Sequence, residues 1–358
     1  MRRALAIVLF GLLGVALAAG RAVWALSQPY QSFAEPGVYV DVPHGAAGRV
    51  IARLLAERGV IRSRWLFEAL TRWRSDRTLQ AGEYFFDGPA TSLEVFDKLA
   101  SGRIFVRELV VPEGYSIFEI AALVAREGLT TREDFLAAAR NPALLRSVAP
   151  GAPSLEGFLF PATYQLPRRL SGEEIAAAMV RRFQQEWEKV TAEGHNPAGL
   201  SLQQAVTLAS LVESETRQAD ERPLVAGVFL NRLRRRYPLQ CDPTVAYALE
   251  LAGKYTGKLS SRDLRFESQY NTYRRIGLPP GPIANPGTMS LRAALDPSPT
   301  DHFYFVANAE GGHIFSRTLA EHNRNVARYR QLLAEQRRAA RLASASSPPS
   351  TTSSQGSP

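Results

Sequence analysis

Residues 205–216 read AVTLASLVESET, an apolar run that ends in two carboxylates, Glu213 and Glu215. The run predicts a helix that places both acids at the end of an otherwise apolar surface. An ionised carboxylate beside apolar packing is costly unless it is paired or used chemically. Burial raises the pKa of such an acid, and a raised pKa is what a proton donor needs near neutral pH. One of the two glutamates is therefore a candidate catalytic acid.

Helical geometry separates the two glutamates. At about 100° per residue, the side chains of Glu213 and Glu215 point roughly 160° apart, so they cannot both serve one site. The apolar positions centre on a direction that Glu215 misses by roughly 70° and Glu213 by roughly 90°, a difference too small to choose between them. The alternative is that both are solvated acids that pair with Arg217 or Arg222. The helical pattern leaves these alternatives open.

Composition sets limits on the class of protein. The chain has 358 residues and 45% hydrophobic content, which is typical of two compact globular domains. Its formal charge of +9 would suit nucleic acid, anionic lipid headgroups or the carboxylates of cell-wall peptides. The one cysteine, Cys241, excludes an intrachain disulfide and is predicted to be a small buried residue. His313 and His322 lack the spacing of metal ligands, so we expect neither a metal nor a cofactor.

The N-terminus predicts a membrane anchor. Residues 1–3 read MRR, and residues 4–26 are almost entirely apolar. As one helix the apolar stretch would be about 34 Å long, which is enough to cross a bilayer. Arg21 and Trp24, near its outer end, are residue types that lie at the membrane interface. The two arginines predict a cytoplasmic N-terminus and an exported remainder. A cleaved signal peptide is the alternative, and it would also export the rest of the chain.

The fold class predicted from the patterns is α+β: an N-terminal transmembrane helix, a small domain, and a mostly helical domain with a β-rich part. Residues 27–36 are polar and read as a linker. Residues 37–104 predict strand, two helices, strand and helix. Residues 105–335 form the second domain, helical in its first half and later carrying the strand-like HFYFV at 302–306. Residues 343–358 are rich in serine and proline and predict a disordered tail.

Ordered blocks of sequence surround the two glutamates. The blocks are LEGFLFPATY (155–164), LASLVESET (208–216), VAGVFLNRL (225–233), LQCDPTV (239–245), YNTY (270–273), GLPPGPIANPG (277–287) and GGHIFS (311–316). Together they resemble the YceG-like (MltG) family of endolytic murein transglycosylases over about residues 37–335, and such an ordered set is far more specific than one motif. Two positions depart from the pattern: Ala162, where relatives often carry an acid, and Cys241, where threonine is common.

The resemblance implies an activity and a location. The family's acid maps to Glu215, with Glu213 as a supporting partner. The implied enzyme cleaves the MurNAc–GlcNAc β-1,4 bond of nascent glycan strands, leaves 1,6-anhydro-MurNAc ends and terminates strand elongation. The small domain is LysM-like in this family, which implies glycan binding. The implied partners are glycan strands, peptidoglycan synthases and the inner membrane, which one helix spans so that the catalytic domain is periplasmic.

Polar residues in the loop blocks are candidates for sugar binding: Gln240, Asp242, Asn271, Tyr273 and Asn285. For each of them the alternative is a turn or cap residue. Glu156 is either a second acid near the cleft or a helix-terminal or arginine-paired residue. The alternative function is a non-catalytic peptidoglycan-binding scaffold. Nucleic acid is not an expected partner, because the chain is predicted to be exported.

Overall fold

The computed structural model describes residues 2–168 and 170–346. The chain divides into two compact units, whose boundary lies a few residues after the predicted domain boundary at 104. A short later segment also belongs to the first unit, and no local pattern in the sequence indicated this return. Unit 1 is Met1–Glu108 with Gln165–Arg169, and unit 2 is Leu109–Tyr164 with Leu170–Pro358.

Unit 1 begins with the long helix α1 (Arg2–Ser27) and continues in the predicted order of strand, two helices, strand and helix. Strands β1 and β2 pair antiparallel, with Val40 opposite Tyr84. Alternate strand residues point into a single core that also takes up the apolar faces of the helices. The elements after α1 are β1 (Val38–Val42), α2 (Gly48–Glu57), α3 (Arg64–Trp73), β2 (Gly82–Phe86) and α4 (Ser92–Ala100).

Unit 2 is mainly helical and begins within strand β3. The described part of unit 2 is built around α8, which packs against three other helices, α9, α10 and α11. The elements in chain order are β3 (Arg107–Val110), α5 (Ile117–Arg126), α6 (Arg132–Arg140), β4 (Thr163–Leu166), α7 (Gly172–Thr191), α8 (Leu202–Glu215), α9 (Arg222–Arg234), α10 (Asp242–Leu251), α11 (Thr288–Leu295), β5 (Tyr304–Ala307), β6 (His313–Ser316) and α12 (Leu319–Ser346).

Side-chain caps explain where several helices begin. At the start of α5, Ser116 accepts a hydrogen bond from the backbone N–H of Glu119, whose carboxylate accepts one from the N–H of Ser116. The same reciprocal arrangement begins α7 and α8. Helix α4 is capped by Thr91, and Ser92 is its first helical residue.

Two predictions of secondary structure need correction. The prediction of a β-rich part in the second domain is wrong, because within the described residues the stretch 238–312 contains mostly loops, two helices and one strand of the β5–β6 hairpin. Its many prolines and glycines do not sustain strand ladders. Helix α12 continues to Ser346, so residues 343–346 are helical rather than part of a tail. The rest of the predicted tail, 347–358, lies outside the described residues.

Candidate active site

Helix α8 carries both glutamates of the AVTLASLVESET stretch. Ser201 and Gln204 form the capping box that begins the helix. All eight residues from 205 to 212 are buried, so this part of the helix is enclosed on every side. The helix ends at Glu215, and the next residue is already in an extended conformation. The two acids therefore emerge at the C-terminal end of a helix buried in the core of unit 2.

A cavity of about 340 Å³ opens beside the end of α8. Glu215 lines it together with three of the predicted sugar-binding residues, Gln240, Asp242 and Tyr273. The structure thus brings together four candidate residues that are up to 58 positions apart in the sequence. The other lining residues are Phe229, Arg232, Leu239, Phe305, Val306, Ala307, His313 and His322.

Glu215 is the partly enclosed acid of this cavity. Protein atoms surround its carboxyl group, although the side chain keeps partial access to solvent. Burial raises the pKa of Glu215 above its usual value, and the neighbouring Asp242 raises it further. A hydrogen bond from the Cys241 thiol and the electrostatic influence of His313 and Arg232 offset part of the rise in pKa. The surroundings therefore favour the protonated form of Glu215 more than water does.

Glu213 points away from the cavity and holds other elements against α8. Its carboxylate accepts a hydrogen bond from the Arg222 guanidinium at 2.9 Å and another from the Gly287 backbone N–H at 3.0 Å. Burial raises the pKa of Glu213, and these two donors offset part of the rise. A Cβ at residue 287 would lie 1.9 Å from a carboxylate oxygen of Glu113, so any larger residue there would displace the Glu113 side chain. The pairing with Arg222 is one of the alternatives that the sequence left open.

Tyr273, Asp242 and Gln240 form a polar wall of the cavity. The Tyr273 hydroxyl donates a hydrogen bond to Asp242 Oδ1 at 2.5 Å, and Asp242 is the first residue of α10. Gln240 has a φ of 53°, in the left-handed region that residues other than glycine seldom adopt. Its N–H donates to the Thr272 carbonyl oxygen at 3.2 Å, and its side-chain oxygen accepts from Arg232 at 3.4 Å. Fixed polar groups of this kind can orient a sugar.

Arg232, which the sequence analysis did not single out, ties two sides of the cavity together. Its guanidinium donates to the carbonyl oxygens of Leu239 at 2.7 Å and Phe303 at 2.6 Å. The side chain is buried, and its charge also acts on Glu215. The loop before α10 and the segment before β5 are therefore held by one side chain of α9.

A second group, which no sequence motif linked together, consists of Glu221, His313 and Thr216. Glu221 accepts hydrogen bonds from the backbone N–H of His313 at 2.7 Å and from the Thr216 hydroxyl at 3.2 Å. Its carboxylate also lies 2.6 Å from His313 Nδ1. Burial raises the pKa of Glu221, but these hydrogen bonds outweigh burial and hold the pKa below its usual value. Since an ionised carboxylate only accepts, Nδ1 is the donor, and the His313 ring is fixed at the cavity wall.

Besides Glu213, three candidate residues do not line the cavity. The Asn271 side chain is buried and donates to the carbonyl oxygens of Leu264 and Phe266. Asn285 donates to Glu156 at 2.8 Å, and Glu156 accepts from the N–H of Ile117, the first residue of α5. Burial raises the pKa of Glu156 to about 8, so it is a neutral core residue at pH 7. Its position matches the helix-terminal alternative.

Within residues 2–168 and 170–346, no group of three or more histidine, cysteine or acidic side chains could hold an ion. Cys241 is buried as predicted, and its thiol also contacts Glu215.

Comparisons with known proteins show the family to which the chain belongs. The YceG-like family model matches residues 40–328. The chain is 33% identical to an endolytic murein transglycosylase of Bacillus subtilis over 85% of this chain and 88% of that protein. It is 29% identical to one from Streptococcus pneumoniae, over 84% of this chain and 60% of that protein. A crystal structure of a yceG-like protein from Listeria monocytogenes superposes with a TM-score of 0.53 at 32% identity, covering 81% of this chain and 99% of that one.

The family match and the similarity to these relatives over most of the chain show a lytic transglycosylase. The chain belongs to the YceG-like family, whose model covers both units.

Proposed function

We propose that the chain is an endolytic peptidoglycan lytic transglycosylase in which Glu215 is the acid and the base. The observation that carries the proposal is the setting of Glu215, a carboxyl group that is partly accessible from a polar cavity while burial raises its pKa. Such a carboxyl group can hold a proton near neutral pH and give it to a bound substrate. The relatives named endolytic murein transglycosylases supply the substrate class.

In the proposed reaction, Glu215 first donates its proton to the oxygen that links MurNAc C1 to the next GlcNAc. The C1–O bond breaks, and positive charge develops at C1 and the ring oxygen. The resulting Glu215 carboxylate then accepts the proton of the MurNAc C6 hydroxyl as O6 attacks C1. Glu215 thus gives one proton and regains one, and no water is consumed. The product is a 1,6-anhydro-MurNAc end.

A single carboxyl group suffices because the nucleophile belongs to the substrate. Intramolecular attack gains effective molarity, so the protein need not supply a second catalytic carboxylate as nucleophile or base. The remaining task is orientation and charge stabilisation. Asp242, positioned by Tyr273, supplies the second carboxylate facing the cavity and would stabilise positive charge at C1. Gln240 and His313 are placed to hydrogen-bond the sugar.

Unit 1 would bring the enzyme to its substrate. Its order of strand, two helices, strand and helix is that of the LysM-like domain implied by the family resemblance, which supports a role in glycan binding. Residues Leu9–Ser27 of α1 are long and apolar enough to cross a membrane. With Arg2 and Arg3 in the cytoplasm, unit 2 would act on nascent strands in the periplasm beside the peptidoglycan synthases. Cuts within those strands would end their elongation.

The test is digestion of purified peptidoglycan followed by mass spectrometry of the muropeptides. The wild-type chain should produce 1,6-anhydro ends and release long fragments, as internal cleavage does. Glu215→Gln should reduce the yield by at least about 100-fold, because general acid–base catalysis contributes that much or more. Glu188→Gln, an exposed acid on α7, is the matched control and should keep full activity.

Two outcomes would count against the proposal. Unchanged anhydro product from Glu215→Gln would show that another residue transfers the proton. If the folded wild-type chain bound glycan strands and made no anhydro ends, the non-catalytic scaffold would be the better description. Orientation is tested separately with a reporter fused after Pro358, which should be active only outside the cytoplasm.

A further inference from the structure

The second half of α1 packs against the folded part of unit 1 and leaves an apolar groove. The groove has a volume of about 390 Å³ and lies between α1, α3 and α4. Every lining residue except Arg74 is apolar. The residues are Ala19, Ala22, Val23 and Leu26 from α1, Leu66, Ala69, Leu70, Trp73 and Arg74 from the segment of α3, and Leu93 from α4.

The groove lies beside the part of the chain that is fit to cross a membrane. Its four residues from α1 all belong to the candidate span Leu9–Ser27. Trp73 borders the same groove and is 77% exposed, while Trp24 on α1 is 61% exposed. Tryptophan is enriched where hydrocarbon meets water, since its ring is apolar and its N–H is polar. The α3 face therefore lies next to α1 at the end of the span where the membrane interface would be.

Helices α2 and α3 carry an excess of positive charge, which suits an anionic membrane surface. Residues 48–77, which contain α2 and α3, hold eight arginines and three acidic residues. Arg64 stacks on the exposed Trp65, with its guanidinium carbon 4.5 Å from the ring centroid. These two residues line a surface depression together with Arg49 and Arg53. Each basic residue close to an anionic membrane adds to the electrostatic attraction. Helix α3 contributes both to the apolar groove and to the arginine cluster, so one helix offers contacts for the acyl chains and for the headgroups of anionic phospholipids.

We propose that the α3 face of unit 1 is a lipid-docking surface. An acyl chain of the membrane that α1 spans occupies the groove between α1 and α3, and anionic headgroups contact the arginines of α2 and α3. The proposal rests on the membrane anchor of the proposed function. Unit 1 is then seated on the membrane by two elements, α1 and α3, rather than connected to it by α1 alone.

The test uses the full chain in lipid nanodiscs whose phospholipids carry bromine on the acyl chains, which quenches nearby tryptophan fluorescence. Single-tryptophan variants retain Trp24, Trp73 or Trp187, with phenylalanine at the other tryptophan positions. Quenching of Trp24 reports the anchor, and quenching of Trp73 reports the docking surface. Trp187, which stacks on Phe183 in unit 2, is the control. We expect Trp73 to be quenched at least twofold more strongly than Trp187.

The outcomes separate the docking surface from the anchor. Strong quenching of Trp24 with none of Trp73 would overturn the docking surface and leave the anchor standing. An unquenched Trp24 would overturn both. Equal quenching of Trp73 and Trp187 would also overturn the proposal, and so would a Trp73 signal that responds to added soluble glycan strands but not to brominated lipid.

A charge placed in the groove provides a second measurement. Ala69→Glu in the variant that retains Trp73 should reduce quenching at least twofold, because a carboxylate is costly among acyl chains. Thr78→Glu, at an exposed position outside the groove, adds the same charge and should leave quenching unchanged. Equal effects of the two substitutions would contradict the assignment of the acyl chain to this groove. Omitting anionic lipid should weaken the Trp73 signal, and an unchanged signal would refute the role of the headgroups.

Discussion

Glu156→Gln should make the stability of the chain less dependent on pH. The pKa of Glu156 rises from its ordinary value of 4.5 to about 8 on burial, so the folded chain holds this proton at neutral pH and the unfolded chain does not. When folding raises the pKa of a carboxyl group, the free energy of unfolding is unaffected at pH values below the pKa in the unfolded chain. The free energy of unfolding then decreases as the pH rises towards the pKa in the folded chain. The cost grows by about 1.4 kcal/mol per pH unit, which amounts to about 3 kcal/mol between pH 5 and pH 7.

The glutamine side chain is neutral and nearly the same shape, so it lacks this cost. Its carbonyl oxygen can still accept from Asn285 and from the N–H of Ile117. The advantage of Glu156→Gln over wild type should therefore increase by about 3 kcal/mol from pH 5 to pH 7. For a unit of this size that corresponds to an increase of roughly 6–12 °C in the difference between melting temperatures.

The assay is thermal unfolding of the full chain in detergent at pH 5, 6 and 7, followed by tryptophan fluorescence. Comparing the same two proteins at each pH cancels any constant change in hydrogen bonding. A melting-temperature difference that stays constant over this range would refute the reasoning, because Glu156 would then bind no extra proton on folding. The variant should also keep its cleavage activity, since Glu156 does not line the cavity. Loss of activity in a stably folded Glu156→Gln chain would restore the interpretation of a second acid.

Further predictions concern the surroundings of the catalytic acid. Cys241→Ala removes a hydrogen bond that lowers the pKa of Glu215, so the basic limb of the pH–rate profile should move to higher pH, whereas Cys241→Ser keeps a donor and should move it less. An unchanged profile in both would exclude the thiol contact. Glu221→Ala should release the His313 ring and reduce kcat by about 10- to 100-fold in the muropeptide assay, with the fold intact by circular dichroism. Tyr273→Phe leaves the carboxylate of α10 without its 2.5 Å donor and should reduce kcat/KM by roughly tenfold, and full activity would show that the hydroxyl is dispensable.

Local sequence patterns predicted where the helices and strands lie. They predicted less well the direction in which a particular side chain points. Caps and alternation specify an element through neighbouring residues, as Ser116 and Glu119 do for α5. The choice between Glu213 and Glu215 could not be made from helical periodicity, because residues 205–212 are buried all round and define no apolar face. The family resemblance pointed to Glu215, and the structure places that residue in the cavity and Glu213 against Arg222.

Some of the polar candidates line the cavity and others are buried elsewhere, and the sequence alone does not distinguish the two groups. Asn271 satisfies its amide with nearby carbonyl oxygens, and Asn285 finds Glu156 at a position 129 residues away. Arg232 could not be distinguished from the many other arginines, because its carbonyl partner at Phe303 is 71 residues distant. His313 was considered only as a metal ligand. Its partner Glu221 lies 92 residues earlier in the chain, and that spacing matches no motif.

The left-handed backbone at Gln240 has an energetic consequence for the cavity. A residue with a side chain costs about 1 kcal/mol or more in this conformation, and glycine would avoid most of that cost. The chain thus accepts a less stable loop in order to keep an amide group directed at the cavity. A Gln240→Gly protein should consequently melt at a higher temperature and cut glycan more slowly. That combination is expected where a residue serves activity and lowers stability.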